Sequence, residues 1–254
     1  MMVHVAVAPP KTLSTELIER VAALVGKEIV DTRLLLAGGI PRIIASPPDA
    51  EAADSIARRL REAGLVAFVC GDTELRKRPA GFRAHTARSG EGEVIFGDRQ
   101  GGEIRIEAGD AFLIMRGRMR SVTPAKTSTT KMKLNVPATV LTGGFPVMQR
   151  VTKKGAAESF RSEYFVRIYD RRSSDPRAEM LRNRLDYGFL GAELTPATPA
   201  NFDLAVTKLR EWFPRAIFDE RLTGHFKTDV PVAGPREALE ISCKVIYLFH
   251  LAIS

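Results

Sequence analysis

The residues of this chain whose types and spacing can act together are cations. Between Asp110 and Glu158 the sequence contains no acidic residue, although nine lysines and arginines fall in that stretch. They are Arg116, Arg118, Arg120, Lys126, Lys131, Lys133, Arg150, Lys153 and Lys154. Clustered cations bind anions, because Coulomb attraction and counterion release reward concentrated charge more than dispersed charge. The stretch therefore predicts a surface for a polyanion or an acidic protein.

The alternation of residues 115–120 predicts a strand that carries its three arginines on one face. Lys131 and Lys133 share one face of a second predicted strand, which follows a Ser/Thr-rich loop at 121–130. If the two strands pair as a hairpin, their cations form one row, which we call the basic ribbon. The predicted binding residues are Arg116, Arg118, Arg120, Lys131, Lys133 and, in the loop, Lys126.

Two interpretations of the basic ribbon stay open. Strands with a solvated face often carry lysine and arginine, which also discourage edge-to-edge aggregation. A merely soluble face usually mixes both signs of charge, however, and this stretch does not. Because Phe112 is almost the only aromatic residue available for stacking, an acidic protein or anionic lipid fits the ribbon about as well as nucleic acid.

The residue types that usually perform catalysis show no recognisable spacing. The four histidines, at positions 4, 85, 225 and 250, form neither HxH nor HExxH. Cys70 and Cys243 lie far apart without a CxxC spacing, which argues against a disulfide framework or a zinc site. No GxSxG sequence marks a nucleophilic serine. We therefore predict no metal, no cofactor and a non-enzymatic protein, with an enzyme of unrecognised site as the alternative.

Length and composition indicate a globular protein with enough apolar residues for a substantial core. The chain has 254 residues, of which 44% are hydrophobic and 27% charged, and a net charge of +8. Residues 1–10 lack the basic start and long apolar run of a signal peptide, so we expect a cytoplasmic location. The apolar segment 243–253 is shorter than the roughly 20 residues that span a bilayer. We expect it to form a helix docked on the fold or on a partner, and a homo-oligomer through this segment is possible.

The first seventy residues alternate between strand and helix patterns. Valines at every second position predict a strand at 3–7, and apolar residues at helical spacing predict helices near 13–25, 29–35 and 50–63. Asp49 is a favourable N-cap, and Gly26 and Gly64 are favourable helix ends. Short apolar runs at 43–44 and 65–70 predict two further strands. The expected order is βααβαβ.

This order resembles the C-terminal domain of the bacterial ribosomal stalk protein and the wider fold group that includes the Clp-protease adaptor. The residues that carry the resemblance are Leu34–Arg42, Asp49–Ala53 and Leu60–Leu65. The resemblance implies a small module used for protein contacts. The stalk family contacts translation factors through a lysine-rich segment, which here is Gly26–Arg33 with one lysine. Only the fold is therefore expected to carry over.

The remainder of the chain changes character. Residues 73–92 are rich in charge, glycine and proline and predict a linker between a domain at 1–72 and a domain at 93–254. From residue 93 the period is two, which predicts a β-meander, and helices are expected at 201–213 and 237–253. A meander followed by a helix is the element order of a pleckstrin-homology-like domain. The expected class is α+β, and the expected function is a two-domain binding or adaptor protein for an acidic protein or another anion. Nucleic-acid or anionic-membrane binding through the same ribbon is the alternative.

Overall fold

The computed structural model describes the backbone of residues 2–134, 148–224 and 230–254, and the side chains of the same residues except 120–161. The chain divides into two compact units. One consists of Met1–Met119 together with Glu163–Ser254, and the other of Arg120–Ser162. All side-chain contacts below belong to the first unit.

The fold is α+β, and the predicted βααβαβ order of the first seventy residues is confirmed. Strands β1, β2 and β3 form an antiparallel sheet of order β2-β1-β3. Helix α1 begins after Ser14, whose hydroxyl accepts the N–H of Leu17, and α3 begins after Asp49, whose carboxylate accepts the N–H of Ala52. The elements are β1 (Val3–Val7), α1 (Thr15–Val25), α2 (Ile29–Leu36), β2 (Arg42–Ala45), α3 (Ala50–Glu62) and β3 (Ala67–Gly71).

Residues 73–92, which the composition predicts to be a linker, contain most of one helix and two strands. They are α4 (Asp72–Arg76), β4 (Phe82–Ala84) and β5 (Thr86–Ser89). Strand β5 pairs with β6 (Glu93–Gly97), and β6 pairs with β7 (Glu103–Glu107), so these three form an antiparallel meander. The polar residues of this segment therefore belong to exposed strand faces and turns. The division into domains at 1–72 and 93–254 stays a prediction.

The predicted hairpin loop at 121–130 is wrong. Strand β8 runs without interruption over Leu113–Leu134, so both halves of the basic ribbon belong to one strand, and its neighbour is β9 (Met148–Tyr169). Four of the ten residues at 121–130 are threonine, which favours extended backbone. The sequence pattern does not identify this strand, because the polar Ser/Thr-rich stretch has no alternation of apolar residues. The strand is recognised only once its pairing with β9 is known.

The second large sheet is mixed, unlike the simple meander expected. It has five strands in the order β11-β8-β9-β10-β4, in which β10 runs parallel to β4 and β11 parallel to β8. Gly117 of β8 lies where strands crowd, since a Cβ atom there would lie 2.3 Å from the Phe165 ring. The remaining strands are β10 (Ala178–Leu181) and β11 (Ile217–Leu222).

Two long helices lie in the segments where the apolar period predicts them. Helix α5 spans Thr198–Trp212 and α6 spans Pro235–Ile253, while short 3₁₀ helices occupy Arg182–Arg184 and Tyr187–Glu193. Helix α6 packs its Ile241 and Val245 against Phe68 of the first sheet. The apolar C-terminal segment is thus largely buried within the chain, with Leu251 and Ile253 as its exposed large apolar residues. A homo-oligomer through this segment stays a prediction.

Candidate anion-binding site

Arg116, the first residue of the basic ribbon, is engaged within the chain. Its guanidinium forms an ion pair with Asp203 of α5 and lies 5.7 Å from the centre of the Phe202 ring. The alternation expected for this stretch is present, because Met115 and Gly117 are buried and Arg116 is half-buried. The acid-free stretch of sequence is therefore not free of acidic neighbours in space.

Arg118, the second ribbon residue, lies with its guanidinium carbon 5.5 Å from the centre of the Tyr164 ring. The side chains of Arg120, Lys126, Lys131 and Lys133 lie outside the described residues. Their role in anion binding stays a prediction. They share strand β8 with Arg116 and Arg118, so the expected pairing of two cationic strands across a loop does not occur.

A separate group of cations surrounds a cleft of 770 Å³, which we call the cationic cleft. Its walls are the end of α4 with the residues that follow it, strand β4, and the first turns of α6. Five of its lining side chains are cationic and two are carboxylates. The cations are Arg76, Lys77, Arg78, Arg83 and Arg236, and the carboxylates are Glu237 and Glu240.

Lys244 holds the α4 wall of the cleft in place. This side chain of α6 is 2% exposed and donates hydrogen bonds to the carbonyl oxygens of Glu74 and Lys77, at 2.6 and 2.7 Å. Burial lowers the pKa of Lys244. The last carbonyls of a helix lack internal partners, so a buried ammonium at this position both satisfies them and fixes the residues that follow.

Each of the two carboxylates of the cleft is paired with an arginine. Arg76 contacts Glu237 at 2.6 Å and also bonds Asp72 at 2.8 Å. The hydrogen bond from the N–H of Ala233 lowers the pKa of Glu237 most, and the guanidinium of Arg76 lowers it further against the opposing effect of burial. Beneath the cleft, Arg167 binds both carboxylate oxygens of Glu240, at 2.6 and 2.8 Å.

Arg78 and Arg236 therefore make the net charge of the cleft positive. Both side chains are exposed, and within residues 2–119, 162–224 and 230–254 no carboxylate lies within 4.0 Å of either. In contrast, Lys77 contacts Asp175 at 3.1 Å, and Arg83 contacts Glu179 at 3.8 Å. Arg236 also lies in the first turn of a 19-residue helix, whose N-terminal N–H groups add positive potential.

A second, smaller cavity shares Arg83 with the cleft and extends the cationic surface. It has a volume of 260 Å³ and is lined by Arg99 and Arg184 as well as by Asp98 and Glu179. His85 lies in its wall and bonds the carbonyl oxygen of Arg184. An anion too long for the cationic cleft can therefore contact further cations in this neighbouring cavity.

Sequence patterns alone miss the cationic cleft. Arg76, Lys77 and Arg78 are consecutive and visible as a basic run, but their glycine- and proline-rich surroundings indicate a linker. Arg236 has no basic neighbour in sequence to mark it. The ion pair of Arg76 and Glu237 joins residues that are 161 positions apart, and only the packing of α6 brings them together.

Comparison of this chain with protein-family models, with curated proteins and with solved structures finds no match. Among the helices in the described ranges, none has the length and apolar character needed to cross a membrane. In the same ranges no group of three histidine, cysteine, aspartate or glutamate side chains is arranged to hold a metal ion.

Proposed function

We propose that this chain is a binding or adaptor protein that holds an acidic segment of a partner protein in the cationic cleft. The observation that carries the proposal is the placement of Arg78 and Arg236, two exposed cations on one cleft whose own carboxylates are paired with other arginines. Carboxylates of a partner can take the positions that the chain itself leaves unfilled. Arginine suits this role because its planar guanidinium binds a carboxylate through two hydrogen bonds.

The lining of the cleft favours an acidic protein over nucleic acid. No aromatic side chain occurs among the described residues that line it, whereas single-stranded nucleic acid is usually held by stacking on aromatic rings. The cleft volume of 770 Å³ falls in the range of about 300–1,000 Å³ typical of sites that enclose a ligand. A few consecutive acidic side chains fit such a volume.

The proposal can be tested by fluorescence anisotropy with a labelled hexaglutamate peptide, and with a hexaglutamine peptide as the neutral comparison. Charge reversal at the cleft, Arg78→Glu with Arg236→Glu, should weaken binding of hexaglutamate roughly tenfold or more, since several charge-assisted contacts of about 1.5–3 kcal/mol are lost or reversed. A matched control reverses two exposed cations elsewhere, Lys11→Glu and Arg58→Glu, and changes the net charge equally.

Equal weakening by the control variant would show that only net charge matters, and would contradict a cleft-specific site. The basic ribbon is tested in the same assay by Lys131→Glu with Lys133→Glu. We avoid Arg116 because reversal there would place a carboxylate against Asp203. Loss of hexaglutamate binding only in the variant with Lys131→Glu and Lys133→Glu would assign the binding site to the basic ribbon instead of the cationic cleft.

The alternative partners are tested with labelled single-stranded DNA and with vesicles containing an anionic lipid. Nucleic-acid binding should fall steeply with salt, by about 0.7 to 0.9 in log K per neutralised phosphate for each decade of salt. Binding of DNA or vesicles that the cleft variant abolishes, with no binding of hexaglutamate, would replace the proposed partner class.

A further inference from the structure

Three polar side chains form a hydrogen-bonded row across the first sheet. The hydroxyl oxygen of Ser46 lies 2.7 Å from Nδ1 of His4, and Nε2 of His4 lies 2.9 Å from a carboxylate oxygen of Asp72. His4 is 1% exposed, whereas Ser46 is exposed. A serine, a histidine and an aspartate in this connection are the components of a nucleophilic serine site.

The sheet itself creates this row. His4 lies on the central strand β1, Ser46 directly follows the edge strand β2, and Asp72 directly follows β3. A β-bulge interrupts the pairing of β1 with β2, because Val5 pairs with Ala45 while Ala6 pairs with Ile43. The extra residue in β2 shifts the register by one, which brings Ser46 to the position opposite His4. Bulges commonly re-aim side chains in this way beside functional sites.

The hydrogen-bond partners determine the protonation of the row. The hydrogen bond from His4 lowers the pKa of Asp72 most, and Arg76 lowers it further against the opposing effect of burial, so this carboxylate is ionised and only accepts. Nε2 of His4 must therefore donate its proton to Asp72. In the neutral ring, Nδ1 is then the acceptor and faces the hydroxyl of Ser46, which is the arrangement that a general base requires.

Ser46 is one of the residues that border a cavity of 370 Å³, and its hydroxyl lies on the opposite face of the sheet from the apolar walls of this cavity. The cavity lies between the end of α1, helix α3 and strand β2, and its walls include the apolar side chains of Val25, Ile44 and Ile56. Lys27 supplies the positive charge of the lining. An ester therefore reaches the Ser46 hydroxyl at the exposed edge of the sheet, beside this cavity rather than inside it.

We propose that Ser46, His4 and Asp72 form a nucleophilic serine site that hydrolyses carboxylic esters. Ser46 is the nucleophile, His4 the general base, and Asp72 a positioning residue that holds the His4 tautomer and stabilises the imidazolium. This site adjoins the cationic cleft, because Asp72 also pairs with Arg76, but labelling of Ser46 does not require the anionic partner.

The reaction proceeds in two balanced halves. The Ser46 oxygen bonds to the acyl carbon while its proton passes to Nδ1 of His4, and the carbon–oxygen bond to the alcohol then breaks as that alkoxide takes the proton from Nδ1. A water molecule next attacks the acyl carbon and gives a proton to Nδ1. Release of the carboxylic acid returns that proton to the Ser46 oxygen.

The experiment is labelling of the purified full-length chain with a fluorophosphonate, followed by peptide mass spectrometry. This probe forms a bond between phosphorus and an activated serine oxygen and expels fluoride, so it reports nucleophilicity without knowledge of the natural ester. We expect modification at Ser46, and with p-nitrophenyl butyrate we expect hydrolysis that Ser46→Ala abolishes. The control Ser89→Ala, at an exposed serine of β5, should change neither measurement.

The variant Asp72→Asn tests whether the three hydrogen-bonded side chains activate Ser46 or only stabilise the fold. Asparagine keeps the size of the side chain but removes its charge and disturbs the tautomer, so labelling of Ser46 should slow roughly tenfold or more. Circular dichroism establishes that each variant is folded. The proposal is overturned if the folded wild type leaves Ser46 unmodified at millimolar probe, if Asp72→Asn labels as fast as the wild type, or if ester hydrolysis persists in Ser46→Ala.

Discussion

Arg167 is the buried charge on which the packing of α6 against the large sheet depends. The guanidinium is 5% exposed, binds Glu240 of α6 through two hydrogen bonds and binds Glu179 of β10 at 2.7 Å. It also lies 5.0 Å from the centre of the Phe165 ring. Replacement of Arg167 by methionine keeps the aliphatic stem and removes every one of these polar contacts.

The expected loss in the free energy of unfolding is large, because two carboxylates keep their negative charge after Arg167 is removed. Glu179 and Glu240 are 14% and 13% exposed, so neither is fully rehydrated without movement of the backbone. Removing one partner of a buried ion pair costs about 3–5 kcal/mol, since an uncompensated charge stays in a poorly solvated place. Folded domains are stable by about 5–15 kcal/mol, so Arg167→Met should lose a substantial part of the total.

Equilibrium unfolding in urea measures this loss, with the fluorescence of the single tryptophan, Trp212, and circular dichroism as two independent signals. The matched control is Arg88→Met. Arg88 pairs with Glu103 at 2.8 Å, but the two side chains are 60% and 41% exposed. Exposed pairs contribute about 0–1 kcal/mol, so the control should unfold close to the wild type.

Adding Glu240→Gln to Arg167→Met should recover part of the lost stability, because it removes one of the two carboxylate charges that Arg167 had paired. The interaction energy from the cycle of single and double variants should fall in the range of about 0.5–3 kcal/mol. A free energy of unfolding for Arg167→Met within about 1 kcal/mol of the wild type, or no difference from Arg88→Met, would refute the reasoning.

Three further results are expected. Gly117→Ala should destabilise the fold by about 1–3 kcal/mol or more in urea unfolding, because the added methyl group overlaps an aromatic ring. Although burial opposes its ionisation, hydrogen bonds from His250 and Arg221 lower the pKa of Asp219 to about 2, below the ordinary 3.8. Its stabilisation is therefore complete above the ordinary pKa and is lost as pH falls through about 2, so Asp219→Asn should cost roughly 2 kcal/mol at pH 7 and flatten the acid limb of stability against pH. Burial raises the pKa of Cys70 and of Cys243 to about 12, so both thiols should react with a disulfide reagent only after unfolding, and fast reaction of the native chain would contradict their burial.

Local patterns predicted the first seventy residues well because their signals depend on near neighbours. The spacing of apolar residues reflects which side chains share a face of a helix or strand, and the N-cap at Asp49 and the helix end at Gly26 act within one turn. The same reasoning failed at 121–130, where a polar strand carries no apolar alternation. Its extended form depends on pairing with β9, and the local pattern of residues does not record that pairing.

The candidate sites show the limit of sequence patterns more sharply. The sequence by itself determined that cations are concentrated in the middle of the chain and that Arg76, Lys77 and Arg78 are consecutive. Only the tertiary structure decided which charges are balanced, because Arg116 finds Asp203 at a separation of 87 residues. The row of Ser46, His4 and Asp72 likewise depends on three neighbouring strands and one bulge. Periodicity records the faces of single elements, whereas contacts between elements arise from packing and register, which no local pattern contains.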